Sequence, residues 1–324
     1  MNITLVSNGT QGRVLRDSFS SAVTRNVIVV GLCISINYVN GTLVHTFIKH
    51  EIFTGNPRYI LFIHMVLNDI VQLIITVLLH VLSYVVFTFN VSFCCVLLMT
   101  VMFTTLNTPL NLAIMAIERY IAICNPLRHS QICTVRKTYI LISLIWVLSA
   151  IDVFPELFLL IATQPPSFFY SNIFCLRDTV FSNAQLMEKR TAVHVIYLIF
   201  VSIIIVYTYV KIMYVATAKN SDARKARSTI LLHGIQLLIC MLTFVGPMVD
   251  KVLADVFPAF IVERTFLSYI IIQVMPRFIS PIVYGVRDQT FCKYLKRYLV
   301  CTIVWKPFKK PPYLLADRVL DSGE

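Results

Sequence analysis

Long apolar stretches alternate with short polar segments along most of the chain. The apolar stretches cover residues 23–47, 59–86, 94–117, 139–162, 192–214, 229–249 and 266–286. A helix needs about 20 mostly apolar residues to cross the hydrocarbon core of a bilayer, so each stretch is long enough to span a membrane. None alternates strictly over about 10 residues, as a membrane β-strand does. The pattern therefore predicts an all-α membrane protein with seven transmembrane helices.

The composition supports this class and disfavours others. Hydrophobic residues make up 57% of the chain and charged residues 14%, and the mean hydropathy is +0.77. A soluble domain carries about 25% charged residues, so this chain would expose large apolar patches in water. The sequence also lacks the zinc-protease, serine-hydrolase and phosphate-loop motifs. We expect a membrane protein that is not an enzyme and that uses no cofactor and no metal.

The basic residues predict the orientation. With the N-terminus outside, 19 of the 28 Lys and Arg residues fall on the cytosolic side and 8 on the outer side. This bias follows the positive-inside rule. It divides the chain into an outer tail at 1–22, a membrane domain at 23–286 and a cytosolic segment at 287–324. The net charge of +12 then describes a basic face against anionic lipid, and no basic stripe indicates nucleic-acid binding.

The outer segments carry candidate modification sites. Three asparagines begin the N-glycosylation pattern, the last of them close to the membrane: Asn2, Asn8 and Asn90. Cys94 opens the third stretch and Cys175 lies in the second outer loop, which is an oxidising location. A bridge between them would hold that loop over the helices, with Cys95 as a competitor for the same partner.

Several motifs occur together. Residues 107–129 read Asn-Thr-Pro-Leu-Asn-Leu-Ala-Ile-Met-Ala-Ile-Glu-Arg-Tyr-Ile-Ala-Ile-Cys-Asn-Pro-Leu-Arg-His. Others are Asn-Pro-Arg-Tyr-Ile at 56–60, Leu-Asn-Asp at 67–69, Lys-Ala-Arg-Ser-Thr at 225–229 and Pro-Arg-Phe-Ile-Ser-Pro-Ile-Val-Tyr at 276–284. As a set they resemble the signature of odorant receptors of teleost fish, a branch of the rhodopsin-like G-protein-coupled receptors. The resemblance implies a seven-helix bundle of that type with a short amphipathic eighth helix.

The resemblance also assigns an activation switch at the inner face. Glu118 and Arg119 would hold the resting state, and Arg119 would be released to meet the G protein while Tyr209 and Tyr284 swing toward it. The alternative is that Glu118 and Arg119 are boundary charges that merely reach toward water. The other switch positions are Tyr120 and Pro281, the latter in a Ser-Pro-Ile-Val-Tyr sequence whose Ser replaces the usual Asn.

A small, mostly apolar ligand pocket is expected in the outer third of the bundle. Helical facing and the resemblance together give ten candidate lining residues, each of which could instead be ordinary packing. They are Leu98, Val101, Met102, Thr105, His194, Tyr197, Phe244, Met248, Ile270 and Gln273. Val101 stands where amine receptors have an Asp, which disfavours an amine ligand.

Asp69 and Arg277 are charges inside predicted spans, where an unpaired charge costs at least about 2.5–3.5 kcal/mol. By resemblance the two positions face each other beside Asn40 and Thr108, at a place that holds a sodium ion in many relatives. We expect a buried ion pair in which the guanidinium takes the place of that ion. The alternative is that Arg277 faces water inside the open bundle.

After the last span, residues 288–300 place apolar and aromatic residues on one side and Lys293, Lys296 and Arg297 on the other. This pattern predicts a helix lying on the inner leaflet. Cys301 at its end is a candidate palmitoylation site or a plain thiol.

The leading hypothesis is a receptor in the plasma membrane of olfactory cilia. It would bind a small waterborne odorant and activate a heterotrimeric G protein of the stimulatory type, raising cAMP. One alternative is a non-olfactory rhodopsin-like receptor for a lipid or a peptide. A more distant one is a transporter or channel, for which the sequence shows neither inverted repeats nor a polar pathway.

Overall fold

A computed structural model describes residues 3–6, 13–16, 19–181, 183–218, 261–279, 291, 293–295 and 298. Within these residues, five helices are long and apolar enough to cross a membrane. They are Phe19–Lys49, Pro57–Val85, Val91–Cys124, Val135–Thr163 and Ala184–Ala218, which we call the first to fifth spans. The predicted sixth span, 229–249, lies outside the described residues. The fold class expected from the sequence agrees with this helical architecture.

The described part of the seventh span is not a uniform α-helix. Ile261–Ser268 is α-helical, Tyr269–Val274 is π-helical, and residues 275–279 return to the α-form. In the π-helical segment the N–H of Met275 donates to the carbonyl of Ile270, five residues back. Short π-helical insertions of this kind are rare and often lie at functional sites.

Except for the second span, which ends at Val85, the spans extend beyond both predicted ends, because hydropathy marks only the part of a helix that lies in hydrocarbon. The first span begins at Phe19, so the end of the predicted outer tail is already helical. Polar caps fix several of the starts. Asn56 Oδ1 accepts a hydrogen bond from Arg58 N at 3.1 Å, and Thr134 Oγ1 accepts one from Lys137 N at 3.3 Å.

Shorter elements connect the spans. Four short helices are Glu51–Thr54, Pro126–Ile132, Pro166–Tyr170 and Arg177–Val180. Strands Ile3–Val6 and Arg13–Arg16 pair antiparallel in the outer tail, with Ile3 opposite Arg16. Strands Phe89–Asn90 and Asn172–Ile173 also pair antiparallel, and they join the start of the third span to the second outer loop.

The third span lies at the centre and packs against the second, fourth and fifth spans. Hydrogen bonds between side chains strengthen these contacts, since burial alone drives helix association weakly in lipid. Ser149 Oγ donates to Asn107 Oδ1 at 2.7 Å, and Asn107 Nδ2 donates to Asn68 Oδ1 at 3.4 Å. Asn68 Nδ2 in turn donates to Thr108 Oγ1 at 3.0 Å. This chain links the second, third and fourth spans.

The described residues of the predicted eighth helix are helical and dock on the first inner loop. Phe291 is fully buried and its ring lies 5.0 Å from that of Phe53. Tyr298 Oη lies 3.1 Å from His50 Nε2. Part of the apolar side predicted for this segment therefore packs against the bundle.

Candidate functional site

The inner end of the third span places a buried carboxylate between two basic side chains. Glu118 is only 6% exposed. Its Oε2 lies 3.8 Å from Arg119 Nε, and its Oε1 lies 3.1 Å from His129 Nε2. Since a carboxylate only accepts, His129 Nε2 carries the hydrogen. The contact of Glu118 with Arg119 is thus present, and His129 is a second partner that the sequence did not identify.

Of the three tyrosines predicted to belong to the activation switch, two lie within the described residues. The ring of Tyr120 lies 6.2 Å from that of Tyr207 on the fifth span. Tyr209 is 38% exposed and forms no hydrogen bond or ring contact with the described residues. Pro281 and Tyr284 lie outside the described residues. The roles assigned to Tyr209, Pro281 and Tyr284 remain predictions.

Asp69 and Arg277 are both buried, at 2% and 3% exposure, but they are not in direct contact. Among the described residues no ion pair within 4.0 Å joins them, although Arg277 lies within electrostatic range of Asp69. Arg277 Nη1 instead donates to the carbonyl oxygens of Ile272 at 3.0 Å and Gln273 at 2.7 Å. Pro276 has no N–H to donate to Ile272, so the guanidinium supplies a donor there. The direct salt bridge expected from the sequence is corrected to a longer-range interaction.

Asn40, expected beside the pair, and Asp69 itself each have buried side-chain atoms without a hydrogen bond among the described residues. They are Nδ2 and Oδ1 of Asn40 and Oδ2 of Asp69. Thr108, expected beside the pair, accepts from Asn68 instead. Within the described residues, no group of three His, Cys, Asp or Glu side chains could hold a metal ion.

The predicted ligand residues fall into separate packing clusters. Leu98 and Met102 are buried in a cluster that reaches the fourth span and the second outer loop. Tyr197 packs against the inner halves of the third and fifth spans, and Ile270 against the first and second spans. The half-buried members are Val101, Thr105, His194 and Gln273. Phe244 and Met248 lie outside the described residues, so the pocket remains a prediction.

The walls of two cavities in the described part of the protein include none of the predicted ligand residues. One of about 210 Å³ opens beside the outer end of the fourth span, with Glu156, Leu160 and Phe181 among its walls. The other, about 600 Å³, lies along the outer end of the fifth span, beside Thr191 and Val195.

Sequence reasoning missed a charged cluster at the outer end of the bundle. Glu156, 3% exposed, accepts two hydrogen bonds from Arg190, from Nε at 3.2 Å and from Nη2 at 3.1 Å. Arg177 Nη2 also donates to Glu156, at 3.2 Å. Burial lowers the pKa of Arg177 to about 10, and the negative charge of Glu156 opposes that shift, so Arg177 stays cationic at neutral pH. Asp178 completes the cluster through Arg190 Nη1 at 3.4 Å.

This cluster joins the fourth span, the second outer loop and the fifth span. The sequence contained a signal for it, because Glu156 is an acidic residue inside an apolar stretch and therefore needs partners. The identity of those partners depends on the path of the loop, which the sequence pattern does not define.

A disulfide fixes the same loop. Cys94 and Cys175 are bonded, with their Cα atoms 5.7 Å apart, and Cys95 is a buried free thiol. Ser92 Oγ donates to the carbonyl of Phe169 at 2.9 Å, and Asn90 Oδ1 accepts from Ser92 N at 2.9 Å. The glycosylation pattern at Asn90 is thus part of a hydrogen-bonded junction in which Ser92 is exposed. The remaining modification candidates, Asn2, Asn8 and Cys301, lie outside the described residues.

Comparison with known proteins identifies the family. Residues 39–284 match the family described as 7 transmembrane receptor (rhodopsin family). This match covers most of the chain and agrees with its apolar helices, so the protein belongs to the rhodopsin family of seven-transmembrane receptors. Members of this family are membrane-spanning receptors rather than enzymes.

Two relatives narrow the position within that family. The chain is 30% identical over 310 residues to Odorant receptor 131-2 of Danio rerio, covering 91% of this chain and 93% of the relative. It is also 30% identical over 211 residues to Olfactory receptor 6K3 of Homo sapiens, covering 62% of this chain and 60% of the relative. The protein is therefore a rhodopsin-family receptor homologous to odorant receptors.

Proposed function

We propose that the protein is an odorant receptor of the plasma membrane. It binds a small waterborne odorant among the outer halves of its helices and activates a stimulatory heterotrimeric G protein, which raises cAMP. The similarity to Odorant receptor 131-2, over nearly the full length of both chains, is the observation that carries this proposal. The site residues proposed for ligand contact are those predicted from the sequence.

The inner face supports the signalling half of the proposal. Arg119 has a side chain 15% exposed and lies beside the buried Glu118. The short helix Pro126–Ile132 follows at once and carries Leu127, which is 92% exposed. An apolar side chain so exposed at the cytosolic face is suited to packing against a protein partner. When Arg119 is released from Glu118 next to such a side chain, the surface offered to the G protein differs between the resting and the active receptor.

The decisive experiment measures cAMP in cells expressing the receptor, challenged with a panel of water-soluble odorants. We expect some panel members to raise cAMP, and Arg119→Ala to abolish that response while leaving surface expression largely intact. Arg136→Ala is the matched control, because Arg136 is an exposed cytosolic arginine at the start of the fourth span. Full signalling by a well-expressed Arg119→Ala receptor would overturn the proposed mechanism.

A further inference from the structure

A group of polar side chains lies in the outer half of the interface between the first, second and seventh spans. They are Cys33 and Asn37 on the first span, Gln72, Thr76 and His80 on the second, and Tyr269 and Gln273 on the seventh. On each helix they follow one another at about one turn, so each set shares a face. The apolar residues between them form one buried cluster with members from all three spans, so the faces meet. We call this set the polar seam.

Two contacts show how closely the seam is assembled. The ring of His80 stacks on that of Tyr269, with the ring centres 4.7 Å apart. On the first span, Asn37 Nδ2 donates to Cys33 Sγ at 3.3 Å. Polar groups inside a membrane span are costly, and they are therefore found mainly where they have a function.

Several atoms of the seam are buried without a hydrogen-bond partner among the described residues. They are Asn37 Oδ1, Gln72 Oε1, His80 Nε2 and Gln273 Oε1. Gln72 is 0% exposed, and its Nε2 donates to Thr105 Oγ1 at 2.7 Å. Thr105 spends its own hydrogen on the carbonyl of Val101 at 2.7 Å, so it can only accept from Gln72. The unused atom of Gln72 is thus its carbonyl oxygen, and the seam offers mainly acceptors.

The charges at the two ends of the seam are compensated within the protein. At the outer end, Arg25 is buried and lies 3.7 Å from Glu263. At the inner end, Arg277 lies within electrostatic range of Asp69. A charged ligand would leave water without finding an unused counter-charge among these groups, which is unfavourable. The seam therefore favours a neutral molecule, and its free oxygens favour one that carries hydrogen-bond donors.

We infer that the polar seam is a second ligand site, which takes a small, neutral, chain-like polyol from the outer solution. The hydroxyl groups of the polyol donate to the free oxygens of Asn37, Gln72 and Gln273, and His80 exchanges a hydrogen bond with it at the outer end. From Gln72 to His80 the seam extends over about 12 Å, which is eight residues of helix. A chain with hydroxyls along its length matches acceptors spread over that distance. Of the seam residues, Gln273 alone also belongs to the predicted odorant pocket, so this site goes beyond the proposed function.

The test uses the natural thiol of Cys33 in the full-length receptor in nanodiscs. A membrane-impermeant methanethiosulfonate reagent is added, and mass spectrometry of the Cys33 peptide measures the rate of modification. Four solutes with the same number of carbons are compared: sorbitol, gluconate, glucamine and 1,6-hexanediol. Sorbitol should slow the modification. Gluconate and glucamine carry a charge and hexanediol has few donors, so each of these should protect Cys33 much less.

Gln273→Met shows whether the protection arises in the seam. Methionine is close to glutamine in shape, so the substitution removes an unpaired buried amide oxygen without opening a large gap. Thermal stability should be unchanged or higher, whereas the sorbitol concentration needed for protection should rise roughly three- to tenfold, the value of one hydrogen bond. Ile271→Met is the matched control, because Ile271 is 42% exposed on the same helix. It should behave as the wild type does.

Three results would contradict the inference. The first is a Cys33 thiol that the reagent does not reach, since a ligand site must be open to the outer solution. The second is equal protection by all four solutes, and the third is protection by sorbitol that persists in Gln273→Met; both would mean that the seam holds water only. The test needs neither odorant nor G protein, so its failure does not bear on the proposed function. A receptor that shows sorbitol protection but no cAMP response would count against the proposed function alone.

Discussion

At the residue scale, Arg277 shows how a charge within a span is accommodated. Its Nη1 binds two backbone carbonyls of its own helix, and its charge acts on Asp69 from beyond contact distance. Arg277→Gln removes the charge and replaces the guanidinium by a shorter amide, whereas Arg277→Lys keeps the charge. We expect Arg277→Gln to destabilise the receptor by about 3–5 kcal/mol and Arg277→Lys by clearly less. Thermal unfolding of the purified receptor measures both.

The electrostatic part of this interaction is isolated by adding Asp69→Asn. Because Asp69 and Arg277 each leave a buried charge uncompensated when the other is neutralised, the double variant Asp69→Asn/Arg277→Gln should recover part of the loss. Agonist affinity should also be the same in sodium and in equal potassium. Strictly additive losses, or a strong sodium-specific effect, would disprove the coupling.

The sequence predicts which single residues matter better than it predicts their partners, because partners far away in the chain leave no local pattern. Glu118 and Arg119 are adjacent, and Asp69 and Arg277 are conspicuous as charges inside apolar stretches. His129 lies 11 residues beyond Glu118, in the short helix Pro126–Ile132 that the hydropathy pattern does not indicate, so its contact could not be inferred. The geometry of Arg277 also escaped prediction, since backbone carbonyls offered partners that side-chain patterns do not reveal.

At the scale of elements, the outer cluster is expected to hold the fourth span, the fifth span and the second outer loop together. Glu156→Gln replaces the buried carboxylate that faces Arg177 and Arg190, so both guanidinium groups lose their shared partner and Arg190 keeps only its contact with Asp178. We expect a loss of about 3–5 kcal/mol of stability and reduced surface delivery. Asp178→Asn is the control, because the Asp178 side chain is 70% exposed and surface ion pairs contribute about 0–1 kcal/mol. Equal effects of the two substitutions would contradict the buried role of Glu156.

A second prediction about how the elements are held together concerns the disulfide. Cys94 and Cys175 are 81 residues apart in sequence, and a loop of this length is stabilised by roughly 4–5 kcal/mol in the chain-entropy model. Cys94→Ser and Cys175→Ser should each impair folding and surface delivery, whereas Cys95→Ser should be mild. Non-reducing peptide mapping checks the pairing, and a Cys95–Cys175 peptide would refute it.

Elements were predicted well where hydropathy determines them and poorly where packing does. The first five spans match five apolar stretches, with ends that run further into polar sequence. The π-helical segment Tyr269–Val274 has no such signature. Pro276 indicates a local disturbance, but whether a helix bends, breaks or widens is decided by its neighbours.

At the scale of the whole molecule, the charge distribution and the number of spans must agree. An odd number of spans puts the two termini on opposite sides, and the division of 19 basic residues against 8 predicts that the N-terminus is the outer one. An epitope tag before residue 1 should therefore be labelled in intact cells, and a tag after residue 324 only after permeabilisation. Enzymatic deglycosylation should shift the receptor on a gel through Asn2 and Asn8, with little contribution from Asn90, because Asn90 Oδ1 and Ser92 Oγ are engaged in hydrogen bonds close to the membrane. Asn2→Gln/Asn8→Gln supplies the control for that shift. Labelling of the C-terminal tag in intact cells would mean that residues 229–249 do not cross the membrane or that the orientation is reversed, and the N-terminal tag distinguishes these two cases.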